Sequence, residues 1–240
     1  MGPAGRPFDK PVAVARLRLT KAGPARFMSH LDFIRAIERS ARRAGLPMAL
    51  SAGFHPHPRM SFSPALAVGI SSECEFVDIE LREKLAAGEV AERLESCLPP
   101  GIGLVSCSVI DPGVPALSSV IRAASYRLEF RPEDVGAADE VVRAVDAMLQ
   151  ADAVPVTRTT PKGVREVDLR PLVYDLRFER RDELSSLHLL VAAGAEGSAR
   201  PLDVVQALVA YGALRDGARP IRIIREGLYV LRDGKFAFPC

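Results

Sequence analysis

Tryptophan is absent from the 240 residues, aromatic residues reach only 6%, and lysine occurs five times against 27 arginines. Long apolar runs are missing as well. The longest, around Leu187 to Ala195, is the size of a strand and far short of the ~18 residues that a membrane-spanning helix needs. The first residues, with Gly2, Pro3, Gly5 and Pro7, hold no apolar stretch of the kind a secretory signal requires, so they read as a short leader without fixed structure. Four cysteines, Cys74, Cys97, Cys107 and Cys240, form no CxxC pair and no zinc or iron–sulfur spacing. The CxxxCxxC loop of a radical enzyme is absent too, as are GxGxxG, a Walker loop, GxSxG and HExxH. The expectation is a cytoplasmic protein with reduced thiols and no cofactor or metal of its own.

What is present is an ordinary globular balance, 48% hydrophobic and 26% charged. The length is comfortable for two domains of about 100–150 residues each. Net charge is only +2, but residues 1–60 carry eleven Lys and Arg against three acids, a local +8 that leaves −6 on the other 180 residues. A positive field confined to one end suits an anionic partner such as nucleic acid.

Along the chain, Val12 to Thr20 alternates as a strand, and Gly23-Pro24 makes a turn. Ser29 and Asp32 have the spacing of a helix cap, and the helix they open runs to about Ala44, stopped by Gly45 and Pro47. Its core side reads as Leu31, Ile34, Ile37 and Ala41, with Arg35, Arg39, Arg42 and Arg43 opposite. Ser51 to Arg59 is too rich in proline for a helix and reads as an ordered loop. Strands are expected over Met60–Ile70, Glu75–Leu81 and Ile102–Ile110, with a helix over Gly88–Leu98. Asp111 to Pro115 makes a linker. The order then repeats: strand Ala124–Phe130, helix from about Pro132 to Leu149, strands Val154–Thr160, Leu172–Glu179 and Leu187–Ala193, helix Pro201–Tyr211, and strand Ile221–Leu231. The fold class this implies is α+β, two ferredoxin-like βαββαβ halves with antiparallel sheets, divided as residues 1–115 and 116–240.

The run Arg26-Phe27-Met28-Ser29-His30-Leu31-Asp32 and the later Gly53-Phe54-His55-Pro56-His57-Pro58 resemble the radical-SAM-linked protein family, domains found alone or fused behind a radical SAM enzyme. Lys162-Gly163, Glu166 to Leu172, and Arg200-Pro201 extend the resemblance over nearly the whole chain. His55 stands where that family usually has asparagine, which leaves His57 the better candidate of the two histidines. The resemblance implies a radical SAM enzyme as partner, acting in trans, and an association with RNA metabolism.

Two sites follow. His30, Asp32 and His57 offer imidazoles and a carboxylate for acid–base chemistry on RNA, a hydrolase or transferase, if they converge; otherwise Ser29 and Asp32 merely cap a helix and His57 satisfies a tight loop. Lys21, Arg26, Arg35, Arg39, Arg42, Arg43 and Arg59 offer a phosphate-binding face, with Glu38 the single acid among the helix arginines, or else a solvated helix side. Phe27 and Phe54 either stack bases or belong to the core. Asp168 and Arg170, at i and i+2, read as a structural pair. An RNA-binding or docking module is the main expectation, with whether the chain is itself an enzyme left open.

Overall fold

The computed structural model describes residues 9–160, 163–180, 183–194 and 197–239. The chain is α+β and divides into two compact units, Met1–Val120 and Ile121–Cys240.

The first unit runs β1 (Ala13–Lys21), a 3-10 turn (Gly23–Phe27), α1 (His30–Arg43), β2 (Met60–Phe62), β3 (Ser71–Leu81), α2 (Ala87–Glu95), β4 (Ile102–Ile110) and α3 (Leu117–Val120). Its strands lie in the order β4-β1-β3-β2, every neighbouring pair antiparallel. Successive strand residues face opposite ways, so Ala15, Leu17 and Leu19 line up with Val77, Ile79 and Leu81 on one face. Phe33, Ile37 and Ala41 of α1 and Val90 and Leu94 of α2 complete that core. On the other face Arg16 stands opposite Asp78 and forms a two-pronged buried pair, Nε to Oδ1 and Nη2 to Oδ2, each 2.7 Å. The short β2 replaces the long strand expected over Met60–Ile70, because Pro64 and the positive-φ Gly69 break the extended run. α3 follows the expected linker and is tied into this unit by the Leu117 amide, which donates to Ser61 Oγ at 2.8 Å.

Both ends of α1 are chemically specified. Ser29 Oγ accepts from the Asp32 amide and its hydroxyl donates to the Asp32 carboxylate. At the far end Gly45, with φ +63, lets its own amide reach the Arg42 carbonyl and that of Leu46 reach Ala41. The buried side, however, is Phe33, Ala36, Ile37, Ser40 and Ala41, while Leu31 is 62% exposed. The helix is therefore rotated by roughly a quarter turn from the expected orientation. Ser40 explains the rotation: its hydroxyl is fully buried and donates to the Cys97 carbonyl just beyond α2.

The second unit runs β5 (Ile121–Phe130), a 3-10 turn (Pro132–Asp134), α4 (Ala138–Gln150), β6 (Pro155–Thr160), β7 (Gly163–Asp168), β8 (Val173–Arg180), β9 (Ser185–Ala192), α5 (Pro201–Ala210), β10 (Arg222–Arg232) and β11 (Lys235–Ala237). Its strands lie as β10-β5-β9-β8, again antiparallel, with β11 folded back on β10. With the separate β6–β7 hairpin set aside, this is the same path through a four-stranded sheet as in the first unit. The helix expected from Pro132 begins six residues later, since Gly136 donates to the Ala213 carbonyl instead of entering a helical turn. Pro161 and Lys162, read with Thr160 and Gly163 as a turn, lie outside the described residues.

Arg158 of β6 ties the hairpin to α5. Its Nε donates to Asp203 Oδ2 at 2.6 Å and its Nη2 to the Ser198 carbonyl at 2.7 Å, with the side chain almost wholly buried. Removing one partner of such a pair strands a charge in the interior. Asp203→Ala is expected to lower stability by about 3 kcal/mol. Asp139→Ala, which breaks an exposed pair with Arg143, is expected to cost under about 1 kcal/mol. Urea unfolding of both variants checks the contrast, and equal losses would contradict it.

Candidate nucleic-acid interface

The interface is built outward from the end of β1. Lys21, expected on the surface, is only 2% exposed. Its ammonium donates to the Met28 carbonyl at 2.8 Å and lies over the Phe33 ring, 5.9 Å from the centroid. The segment between is held from two further directions: the Ala22 amide donates to the Gly101 carbonyl, and the Gly69 amide to the Arg26 carbonyl. Gly101 has to be glycine here, since its φ is +87 and a Cβ would come within 2.5 Å of the Ala22 oxygen.

Held this way, the segment turns its large side chains outward. Phe27 is 60% exposed, with the Arg26 guanidinium over its ring at 4.7 Å. Leu31 stands one helical turn on, and Arg35, Arg39 and Arg42 continue the same outer stripe, all within about 60° around the helix axis. Arg35 is 3.8 Å from the Asp32 carboxylate with both groups largely exposed, a weak pair. Arg42 is engaged by Glu38 through both Nε and Nη2. No ion pair holds Arg39 among the described residues. The reading of Phe27 as core is thus overturned, and Leu31 joins the stripe in place of the core role expected for it.

The remaining cations serve the fold. Arg43 donates to the Cys97 carbonyl at 2.6 Å beside Ser40. Arg59 grips Glu80 with two nitrogens and is raised above its ordinary pKa by that carboxylate. Of the seven cations read as nucleic-acid contacts, Lys21 is buried, Arg59 is engaged by Glu80 and Arg43 by the Cys97 carbonyl, while Arg35, Arg39 and Arg42 are exposed and Arg26 is half-buried against the Phe27 ring.

His30, Asp32 and His57 do not share a location. The His30 ring meets Phe62 edge-on at 6.2 Å, and Asp32 is engaged by Ser29. His57 belongs to a hairpin in which Leu50 bridges Pro58, the Ser51 amide donates to the His57 carbonyl, and the His57 amide donates to Ser51 Oγ. Convergence would require the helix start and this loop to leave the same end of the sheet. The register shows otherwise: α1 follows Lys21, opposite Ser72, whereas the loop adjoins Glu80 and Leu81, the end paired with Ala13 and Val14. Five residues of largely extended chain, about 16 Å, separate His57 from Phe62. Among the described residues no three of His, Cys, Asp and Glu are placed to hold a metal. At the tip of the loop Phe54 is exposed, not core.

Asp168 is structural, though not through the expected pair with Arg170. Its Oδ1 accepts from the amides of Val154 (2.8 Å) and Arg170 (2.9 Å), closing the base of the β6–β7 hairpin. These two backbone donors hold the carboxyl below its ordinary pKa. The folded form therefore gains stability that is complete above the unfolded carboxylate value of about 3.9 and is lost as pH falls through the folded pKa. Thermal melts of Asp168→Asn and the parent are expected to differ at pH 7 and to converge as the carboxyl protonates. A gap that stays constant to the acid limit would contradict this.

Among solved structures, the chain is similar to a chain of a Cbf5-Nop10-Gar1 complex, with TM-score 0.49 and 10% identity over 89% of this chain and 48% of that one. It is similar to a chain of the archaeal box H/ACA sRNP Nop10-Cbf5 complex, with TM-score 0.46 and 11% identity over 88% and 46%. A third similarity is to a chain of an H/ACA RNP bound to a substrate RNA containing 2'-deoxyuridine, with TM-score 0.43 and 14% identity over 93% and 48%. The chain spans about half the length of each of these. No curated protein matches it. Residues 15–201 match a family described as an uncharacterized protein conserved in bacteria (DUF2344). Among the described residues no helix is long and apolar enough to cross a membrane.

Proposed function

The chain belongs to the DUF2344 family of bacterial proteins, and we propose that it binds single-stranded RNA along the outer stripe of α1. The observation that carries this reading is the Arg26–Phe27 stack, an exposed aromatic ring with a guanidinium over it at the head of an exposed row of arginines. Unpaired bases stack on aromatic rings and guanidinium planes, and the phosphates between them seek cations spaced along the strand. A core function would bury Phe27 and Leu31, and a merely solvated helix side would not place two large apolar side chains on it. The local +8 of residues 1–60 acts in the same direction.

Two finer readings belong with it. Each unit is a ferredoxin-like half, supported by the strand orders β4-β1-β3-β2 and β10-β5-β9-β8. The chain works in the cytoplasm as an RNA-docking accessory to a separate radical SAM enzyme in trans, supported by the resemblance carried by Arg26–Asp32 and Gly53–Pro58.

The contacts divide into charge and stacking, and a salt titration separates them. With a labelled 20-nucleotide unstructured RNA, each phosphate contact contributes about −0.7 to the slope of log K against log[salt]. Arg35→Gln/Arg39→Gln is expected to flatten that slope by about 1.4. Phe27→Leu is expected to weaken binding about tenfold with the slope unchanged. Melting curves serve as the control, since Phe27, Arg35 and Arg39 are all exposed. An unchanged slope removes the arginines from the interface, and no measurable affinity at low salt overturns the reading.

A further inference from the structure

The second unit carries a separate aromatic pocket on the sheet face turned away from its core. On β5 the half-buried Ser125 and Arg127 alternate with buried Tyr126, Leu128 and Phe130. On β9 His188 and Leu190 alternate with buried Leu187, Leu189 and Val191. The register lines these up with β8 in two rows, Arg127–His188–Arg177 and Ser125–Leu190–Asp175. Above them lies an open pocket of about 340 Å³ walled by Tyr229 and Phe236.

The wall is specified by the sequence. A Cβ on Gly227 would stand 2.2 Å from the Tyr229 hydroxyl, so glycine there lets the tyrosine lie across the strand. The same hydroxyl is 3.1 Å from Ser125 Oγ. β11 then returns along β10 and brings Phe236 beside Tyr174, ring centroids 5.1 Å apart, with Tyr174 still 45% exposed.

The charges at the rim are already matched. Arg127 donates to Glu226 at 2.7 Å, Arg177 pairs with Asp175 at 2.8 Å, and His188 sits within 3.7 Å of Glu226 and 3.6 Å of Glu179. A phosphate would meet these carboxylates, and a lone cation would meet the arginines. What the rim offers instead is donors and acceptors side by side around aromatic walls, the complement of a flat, uncharged ring edged with both.

We propose that this pocket binds a single nucleobase, stacked on the Phe236–Tyr229 wall with its polar edge toward Asp175, His188 and Glu226. The site is distinct from the α1 stripe and needs no phosphate contact. Its probe is 2-aminopurine riboside, a nucleoside whose fluorescence falls on stacking, titrated with the full chain. Saturable quenching is expected. Phe236→Leu, which keeps an apolar side chain and removes the ring, is expected to weaken it about tenfold. Gly227→Ala, which displaces Tyr229, is a second route to the same loss. Arg35→Gln/Arg39→Gln is expected to leave it unchanged, so failure here and failure of the α1 reading are separate results. Absence of saturable quenching, full retention of affinity in Phe236→Leu, or displacement of the nucleoside by arginine methyl ester would each overturn the assignment.

Discussion

The buried ammonium of Lys21 sets the geometry on which the proposed interface depends. By holding the Met28 carbonyl from the end of β1, it fixes where the 3-10 turn stops and α1 begins. A charge this deep is tolerable only when it is well engaged, and the Phe33 ring adds to its environment. With the turn pinned from inside, Phe27 and Leu31 face outward and the half-buried Arg26 lies against the Phe27 ring. The Gly101 and Gly69 contacts close the same segment from the sides. An exposed Phe and Leu at the head of a helix would ordinarily be a solubility liability, and here rigid internal contacts hold them in that position.

The two units follow one path through four antiparallel strands and use their sheets differently. In the first, the face away from the helices carries the buried Arg16–Asp78 pair beside the half-exposed Arg59–Glu80 pair. In the second, the half-exposed ion pairs surround a pocket with aromatic walls. The division of labour proposed here follows from that difference: phosphate and stacking along a helix in one unit, a single base on the sheet in the other.

Much of this was legible in the sequence. Alternation identified β1, the repeated element order anticipated β5, β8 and β9, and the Ser29 and Gly45 signals bounded α1 to within a residue or two. The orientation of α1 was not, because Leu31, Ile34, Ile37 and Ala41 make as regular a stripe as the side actually buried. Only the contact of Ser40 with Cys97, 57 residues away, decides between them. Lys21 and Arg16 were equally opaque, since a cation's partner across a sheet leaves no mark near it in the chain. The separation of His57 from His30 depends on strand register, which one residue's alternation pattern cannot reveal. β7 went unanticipated because Val164 to Val167 is short and largely exposed.

The central claim is that RNA contacts the outer stripe of α1, and photocrosslinking in cells tests it most directly. After irradiation, the crosslinked nucleotides are mapped to peptides of the chain by mass spectrometry. The account predicts adducts concentrated on the peptide containing Arg26 to Leu31, with Phe27 the modified residue. Recovery of RNA adducts elsewhere on the first unit with none on that peptide, or of no RNA adducts at all, would contradict it.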